Sequence, residues 1–288
     1  MNKKSLFKKY LHEKEILVMP GAHDALCAKL AQLAGHKAVT MGGYSASASL
    51  LGQPDVSLLT LTEMADCYRR VVDSVEIPVF VDGDTGYGGV LNVRRTVKEL
   101  EKTGAAGMFI EDQVFPKRCG HMQGKQVIPA VDMIGKVKAA VDARVDEDFV
   151  IMARTDALAV HGLDKAIDRG NLYRRAGADL IFVEAPVSVA QMKAITTQIE
   201  GPTLANNVEG GKSPLVNISE LQRIGYSAVV FPVAATYAVA HAVGNLMREI
   251  KDTGTTQGFM DRMVTFDAFN SLIGLEELRF LENSFHKS

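Results

Sequence analysis

The sequence predicts an α/β fold, a (β/α)8 TIM barrel with a C-terminal helical extension, and three observations predict it. Eight short apolar runs rich in β-branched residues recur without polar alternation, as strands covered on both faces require. Amphipathic stretches of helical period lie between them. Polar and acidic residues close one run after another, and a barrel keeps its active site at those C-terminal strand ends.

The strands fall at residues 16–19, 37–41, 77–81, 107–110, 149–153, 179–183, 202–205 and 228–231. Helical patterns cover residues 61–74, 93–103, 132–143, 164–176, 189–199 and 218–224. Links at residues 33–36, 103–106 and 175–178 each carry a glycine, which supplies the left-handed residue that ends a helix and turns the chain into the next strand. A doubly wound open sheet is the alternative, but no GxGxxG follows the first strand and eight regular repeats favour closure. Residues 233–282 continue as helix, alanine-rich over 234–242 and broken at Thr253-Gly254. A single barrel domain spanning 1–288 with an extension over about 253–288 accounts for the pattern. The apolar face of residues 266–280 has no obvious partner on its own barrel, so the extension is expected to swap onto a neighbouring subunit.

Composition narrows the function. The 288 residues include 32 basic and 34 acidic side chains, a net charge of −2 that gives no pull toward nucleic acid or an anionic membrane. No apolar run approaches the length of a membrane span, and the basic residues 1–15 have no apolar stretch behind them to serve as a signal peptide. Cys27, Cys67 and Cys119 are too few and too scattered for a disulfide framework. The expectation from composition is a soluble, cytoplasmic, globular α/β protein. Lysines 3, 4, 8 and 9 read as a solvated helix face, and six of the seven histidines (12, 23, 36, 161, 241 and 286) show no metal-binding spacing.

The strand ends read Gly42-Gly43-Tyr44-Ser45, Asp82-Gly83-Asp84, Glu111-Asp112, Arg154-Thr155-Asp156, Glu184, Asn206-Asn207 and Pro232. Carboxylates gathered this closely raise one another's pKa values, and a hard divalent cation such as Mg²⁺ or Mn²⁺ resolves the conflict. Asp82 and Asp84 face one side if the chain stays extended; the alternative is that Asp-Gly-Asp is only a turn. After the fourth strand, Lys117-Arg118-Cys119-Gly120-His121 begins a polar, glycine-bearing loop expected to move over the mouth. Cationic neighbours there favour a reactive Cys119 thiol, whereas Cys27 and Cys67 sit in apolar helical patterns and read as inert. Arg154 presents a planar fork for a substrate carboxylate, or pairs with Asp156 or Glu184. Gly42-Gly43-Tyr44-Ser45 offers backbone N–H groups and hydroxyls to an anion, or is an ordinary loop.

These residues resemble the isocitrate lyase/phosphoenolpyruvate mutase superfamily over roughly residues 17–280. Lys117-Arg118-Cys119-Gly120-His121-Met122 matches its lyase signature, and Asp82-Gly83-Asp84, Glu111-Asp112-Gln113, Met152-Ala153-Arg154-Thr155-Asp156 and Leu50-Leu51-Gly52-Gln53-Pro54-Asp55 match in register. The resemblance implies a homotetramer with a swapped terminal helix, Mg²⁺ dependence, and cleavage of a C–C bond in a 2-hydroxy acid with Cys119 as general acid. Asp82, Asp84 and Glu111 would hold the metal. Gly42, Gly43, Tyr44, Asp55, Cys119, Gly120, His121, Arg154, Glu184, Asn206 and Ser213 would hold the substrate, with Tyr44 a candidate for the base. Departures within the family bear on the substrate, with 2-methylisocitrate the alternative and oxaloacetate hydrolysis or a non-catalytic metabolite-binding barrel further off. Methylisocitrate lyases carry arginines where this chain reads Tyr237 and Phe266, and those arginines help bind a tricarboxylate. The oxaloacetate hydrolases place a serine where this chain has Pro232. The segment Asn207-Val208-Glu209-Gly210-Gly211-Lys212 resembles the branch that cleaves 2,3-dimethylmalate to pyruvate and propionate, and a dicarboxylate with alkyl substituents fits best.

Overall fold

The computed structural model describes residues 2–120, 122 and 124–286. The chain forms two compact units, one up to Thr236 and one from Tyr237. In the first, strands and helices alternate: α1 (Lys3–Tyr10), β1 (Leu17–Pro20), α2 (Ala25–Leu33), β2 (Val39–Met41), α3 (Gly43–Leu51), α4 (Leu61–Asp73), β3 (Val79–Asp82) and α5 (Val90–Lys102). Then follow β4 (Gly107–Glu111), α6 (Ala130–Ala143), β5 (Val150–Thr155), α7 (Leu158–His161), α8 (Leu163–Arg175), β6 (Leu180–Val183), α9 (Val189–Gln198), β7 (Leu204–Asn206), α10 (Ile218–Ile224), β8 (Ala228–Phe231) and the start of α11 (Ala234–Thr253).

All strand pairs are parallel. They run β2-β3-β4-β5-β6 in one series and β1-β8-β7 in the other. Single parallel bridges, Gly21 with Thr40 and Ile181 with Thr203, join the two series at both seams and close the ring. The barrel expected from the sequence is therefore present.

Side-chain alternation along the strands explains the polar rim. The barrel interior is filled by Leu17, Met19, Phe80, Phe109, Val150, Met152, Leu180, Phe182, Leu204, Ala228 and Val230. Residues two apart on a strand share a face, so continuing each inward series by one step reaches Asp82, Glu111, Arg154, Glu184 and Asn206. The β4–β5 register then sets Glu111 directly beside Arg154. Outward residues such as Met108, Ile110, Ile151 and Ala153 meet the helices instead. Thus the interior of the barrel is apolar up to its last layer, and that layer is charged.

The opposite end is closed by α1. Phe7 is fully buried and stacks on Phe80 with ring centroids 5.2 Å apart. Lys3 Nζ donates to the carbonyls of Val72 and Val75, Lys4 pairs with Glu101 at 2.9 Å, and Lys8 pairs with Asp148. These partners lie in the last turns of α4 and α5 and in the links that lead into β3 and β5. The solvated helix face expected for these lysines is therefore corrected: three of the four tie α1 down as a plug.

In the second unit, α11 ends before Gly254, a 3-10 helix spans Gln257–Arg262, and α12 (Phe266–Leu272) and α13 (Leu275–Phe285) form a hairpin about Gly274, whose φ is +83°. Phe259 is buried there under the Arg262 guanidinium. Phe266, Phe280 and Phe285 are exposed, Phe266 by 83%. No described helix is long and apolar enough to cross a membrane.

Candidate active site

The rim begins where β2 runs straight into α3. Gly42 is the N-cap, and the Gly43 N–H donates to Asp82 Oδ2 at 2.8 Å. A Cβ on Gly43 would lie 3.2 to 3.3 Å from Asp82 Oδ2, Asp55 Oδ2 and Lys117 Nζ, so the backbone itself lines the site. What the sequence suggested as a loop is the first turn of a helix, with Tyr44 in it. Its amides favour an anion for that reason. Residues 43–51 lack an apolar stripe, which is why periodicity missed α3.

In Asp82-Gly83-Asp84 the middle residue must be glycine, because a Cβ would approach Met108 Cε to 2.3 Å and the Phe109 carbonyl to 2.7 Å. The chain does not stay extended, since Asp84 has φ +51°. Its N–H donates to Asp82 Oδ1 at 2.8 Å. Lys117 Nζ lies 2.6 Å from Asp55 Oδ2 and 2.8 Å from Asp84 Oδ1, although the latter pair lacks hydrogen-bond geometry. Burial, with Asp82 nearby, outweighs Lys117 and pushes the Asp84 carboxyl up to about 6.

Arg154 is the centre of the far side. Its Nε and Nη2 donate to Asp156 at 2.9 and 3.0 Å, its Nη1 meets Glu111 at 3.1 Å and its Nη2 meets Glu184 at 3.2 Å. The guanidinium also lies 5.4 Å from the centre of the Phe182 ring. The ion-pair alternative for Arg154 therefore holds, and with three carboxylates. Burial pushes Glu111 well above the usual carboxylate range despite Arg154, and its Oε1 is buried without a hydrogen-bond partner. Burial works the same way on Asp156, but Arg154 and Lys125 overcome it and hold that carboxyl low.

One residue further along, Asp112 points outward. It accepts from Thr155 Oγ1 at 2.7 Å, the Asp156 N–H at 2.9 Å, Tyr173 Oη at 2.8 Å and Arg169 Nη1 at 3.0 Å. The end of β5 is thus pinned to the end of β4 and to α8. Asp112 belonged to a matching motif, but nothing in the sequence announced Arg169 and Tyr173 as its partners.

The loop after β4 lies down on the rim. Gln113 holds both backbone groups of Arg118, Ser57 Oγ accepts the Lys117 N–H at 3.0 Å, and Lys117 and Lys125 are buried. Cys119 is half-buried, and His121 lies outside the described residues. After β7, Asn206 Nδ2 reaches Glu184 at 3.4 Å, while Asn206 Oδ1 and Ser213 Oγ are buried without hydrogen-bond partners. Asn207 turns away and bonds the Val216 carbonyl. Cys27 and Cys67 have thiols raised by burial, as inert cysteines should.

Fit to a divalent cation can be judged from charge. Six buried carboxylates (Asp55, Asp82, Asp84, Glu111, Asp156 and Glu184) face three buried cations (Lys117, Lys125 and Arg154). Among the described residues no three His, Cys, Asp or Glu side chains converge as a complete ligand set. The excess of acidic groups is the feature that fits a cation, and without a converging ligand set an ion held there would keep several of its waters.

A parallel barrel with its charged residues and a clamped polar loop at the C-terminal strand ends has a candidate active site where barrel enzymes keep theirs. A family model, phosphoenolpyruvate phosphomutase, matches residues 7–251. The chain belongs to this family. It is 48% identical to 2,3-dimethylmalate lyase of Eubacterium barkeri over 285 residues, 99% of each chain. It is 41% identical to 2-methylisocitrate lyase of Aeropyrum pernix, over 94% of this chain and 87% of that one. A crystal structure of 2,3-dimethylmalate lyase, a member of the PEP mutase/isocitrate lyase superfamily, superposes with a TM-score of 0.93 at 32% identity, covering 99% of this chain and 95% of the other. Phosphonopyruvate hydrolase in complex with oxalate and Mg²⁺ superposes with a TM-score of 0.90 at 27% identity over the whole of both chains. The protein is a carbon–carbon lyase of this superfamily.

Proposed function

We propose that the protein is a Mg²⁺-dependent lyase that cleaves 2,3-dimethylmalate to pyruvate and propionate. The observation that carries this reading is the charged top layer of the barrel, where Asp82, Glu111, Arg154 and Glu184 follow one another at the ends of β3, β4, β5 and β6, with Arg154 paired to Glu111 and Glu184, beneath a clamped loop bearing Cys119. Asp82 would hold the metal directly and Asp84 and Glu111 would hold its waters; the ion, when bound, supplies Lewis-acid polarisation of the 2-hydroxy carboxylate.

The residues of the chain do the rest. The Gly43 amide, already turned toward Asp82, and the Arg154 fork bind the pyruvyl end. Tyr44 takes the hydroxyl proton. The C2–C3 bond breaks, its electron pair passes to C3, and the propionate fragment leaves as a dianionic enediolate. Donors from Asn206, Ser213 and the backbone at Cys119-Gly120 stabilise that charge. Cys119 then delivers its proton to carbon as general acid. The clamped loop keeps out water, which would otherwise quench the enediolate.

The substrate follows from charge. Where methylisocitrate lyases carry two arginines, this chain carries Tyr237 and Phe266. A third substrate carboxylate left unpaired in a closed site costs several kcal/mol, whereas methyl groups are welcome. Purified enzyme with Mg²⁺ should show kcat/KM at least about 100-fold higher for 2,3-dimethylmalate than for 2-methylisocitrate, the ratio that about 3 kcal/mol produces. The reverse preference would make the protein a methylisocitrate lyase, and this reading would be wrong.

We infer further that the second unit is an intersubunit element of a cytoplasmic homotetramer, its exposed apolar helices swapped onto a neighbouring copy. Phe266, Phe280 and Phe285 support this, since isolated apolar helices need a cover.

A further inference from the structure

Lys125 has no part in the chemistry above, yet it is the most deeply placed cation of the loop. Its side chain is 1% exposed. The ammonium donates to the Gly120 carbonyl at 2.5 Å and to Asp156 Oδ1 at 2.6 Å. A charge taken this far from water is tolerated only when paired and hydrogen-bonded, so the contact is specific rather than incidental.

Its two partners belong to different parts of the mouth. Gly120 is in the loop after β4, next to Cys119. A Cβ at Gly120 would come within 2.3 Å of Glu184 Oε2 and 2.4 Å of Arg154 Nη2, so the loop backbone is seated directly on the Arg154–Glu184 pair. Asp156 follows the fixed end of β5. It accepts two bonds from Arg154, and Asp112 holds its N–H. Lys125 lies on the returning limb of the loop, where Gln113 and Val127 bridge the two limbs.

We propose that Lys125 is a positioning residue that latches this loop, tying the carbonyl next to Cys119 to the carboxylate that orients Arg154. Because the ammonium travels with the loop, the latch forms only when the loop lies down. Lifting the loop takes Lys125 back into water and leaves Asp156 to Arg154 alone. Closure thereby sets two things at once, the seat of the thiol and the partners of the guanidinium. The proposal rests on the lyase reading only in giving Cys119 the proton transfer.

The test compares the full-length wild type with Lys125→Met and Lys125→Arg. Alkylation of Cys119 by iodoacetamide is followed by peptide mass, beside kcat, KM and Mg²⁺ affinity. Losing two bonds from a buried ammonium should open the loop and speed Cys119 alkylation about tenfold or more in Lys125→Met. In the same variant kcat should fall further than KM rises, with Mg²⁺ affinity near wild type. Charge alone acts the other way, since removing a nearby cation disfavours the thiolate and slows alkylation. Lys125→Arg keeps a cation with several donors and should recover part of both effects. Unchanged or slower alkylation in Lys125→Met would overturn the latch, as would a loss of kcat that the arginine variant does not relieve at all. The alkylation reading needs no substrate, so it stands even if the wild type fails to cleave 2,3-dimethylmalate, an outcome that would remove the lyase assignment alone.

Discussion

At the scale of single residues, the site works by crowding charges and then sharing them. Arg154 is bound by three carboxylates, so a substrate carboxylate must displace one of them. In the proposed reaction Cys119 is the general acid. Cys119→Ser should bind pyruvate in the presence of Mg²⁺ as the wild type does, while kcat falls about 10²- to 10⁴-fold, the usual contribution of a positioned general acid. Steady-state kinetics and a pyruvate titration check both halves, and cleavage at near wild-type rate would take Cys119 out of the mechanism. Much of this was legible in the sequence. Asp82, Glu111 and Arg154 could be placed because each closes an apolar strand. Lys117, Lys125 and Arg169 could not, because their partners Asp55, Asp156 and Asp112 meet them only through the folding of loops and a helix.

At the scale of elements, the strands were readable and several helices were not. Continuous apolar runs identify parallel strands wherever both faces are covered, and each of the eight falls on a predicted run. The helix α3 escaped because Gly43 to Leu51 is mostly small residues without an apolar stripe, and the α1 lysines look solvated until their carbonyl and carboxylate partners are known. The helices α12 and α13 raise the opposite question, having apolar faces with nothing over them. If a second copy covers them, each phenylalanine buried contributes about 2 kcal/mol to association. Light scattering should give a mass near four times 31.2 kDa, and Phe280→Asp, which buries a charge in that contact, should shift it to smaller species. A wild type that scatters as a monomer would contradict the swapped arrangement.

For the whole molecule, the modest net charge of −2 hides a strong local asymmetry. The barrel gathers six carboxylates and three cations in its top layer, over an apolar interior stoppered at the other end by Phe7. Such a layer is under strain: burial first, then the neighbouring carboxylates, push Asp84 and Glu111 toward the protonated form. A divalent cation relieves this strain, and the lyase account depends on its doing so at Asp82. The most direct test is calorimetric titration of Mg²⁺ into the metal-free protein and into Asp82→Asn, each with pyruvate present. One site per chain in the wild type, weakened at least about tenfold in the variant through loss of a charged ligand, is the predicted result. Equal affinity in the two proteins, or no binding to the wild type, would contradict it.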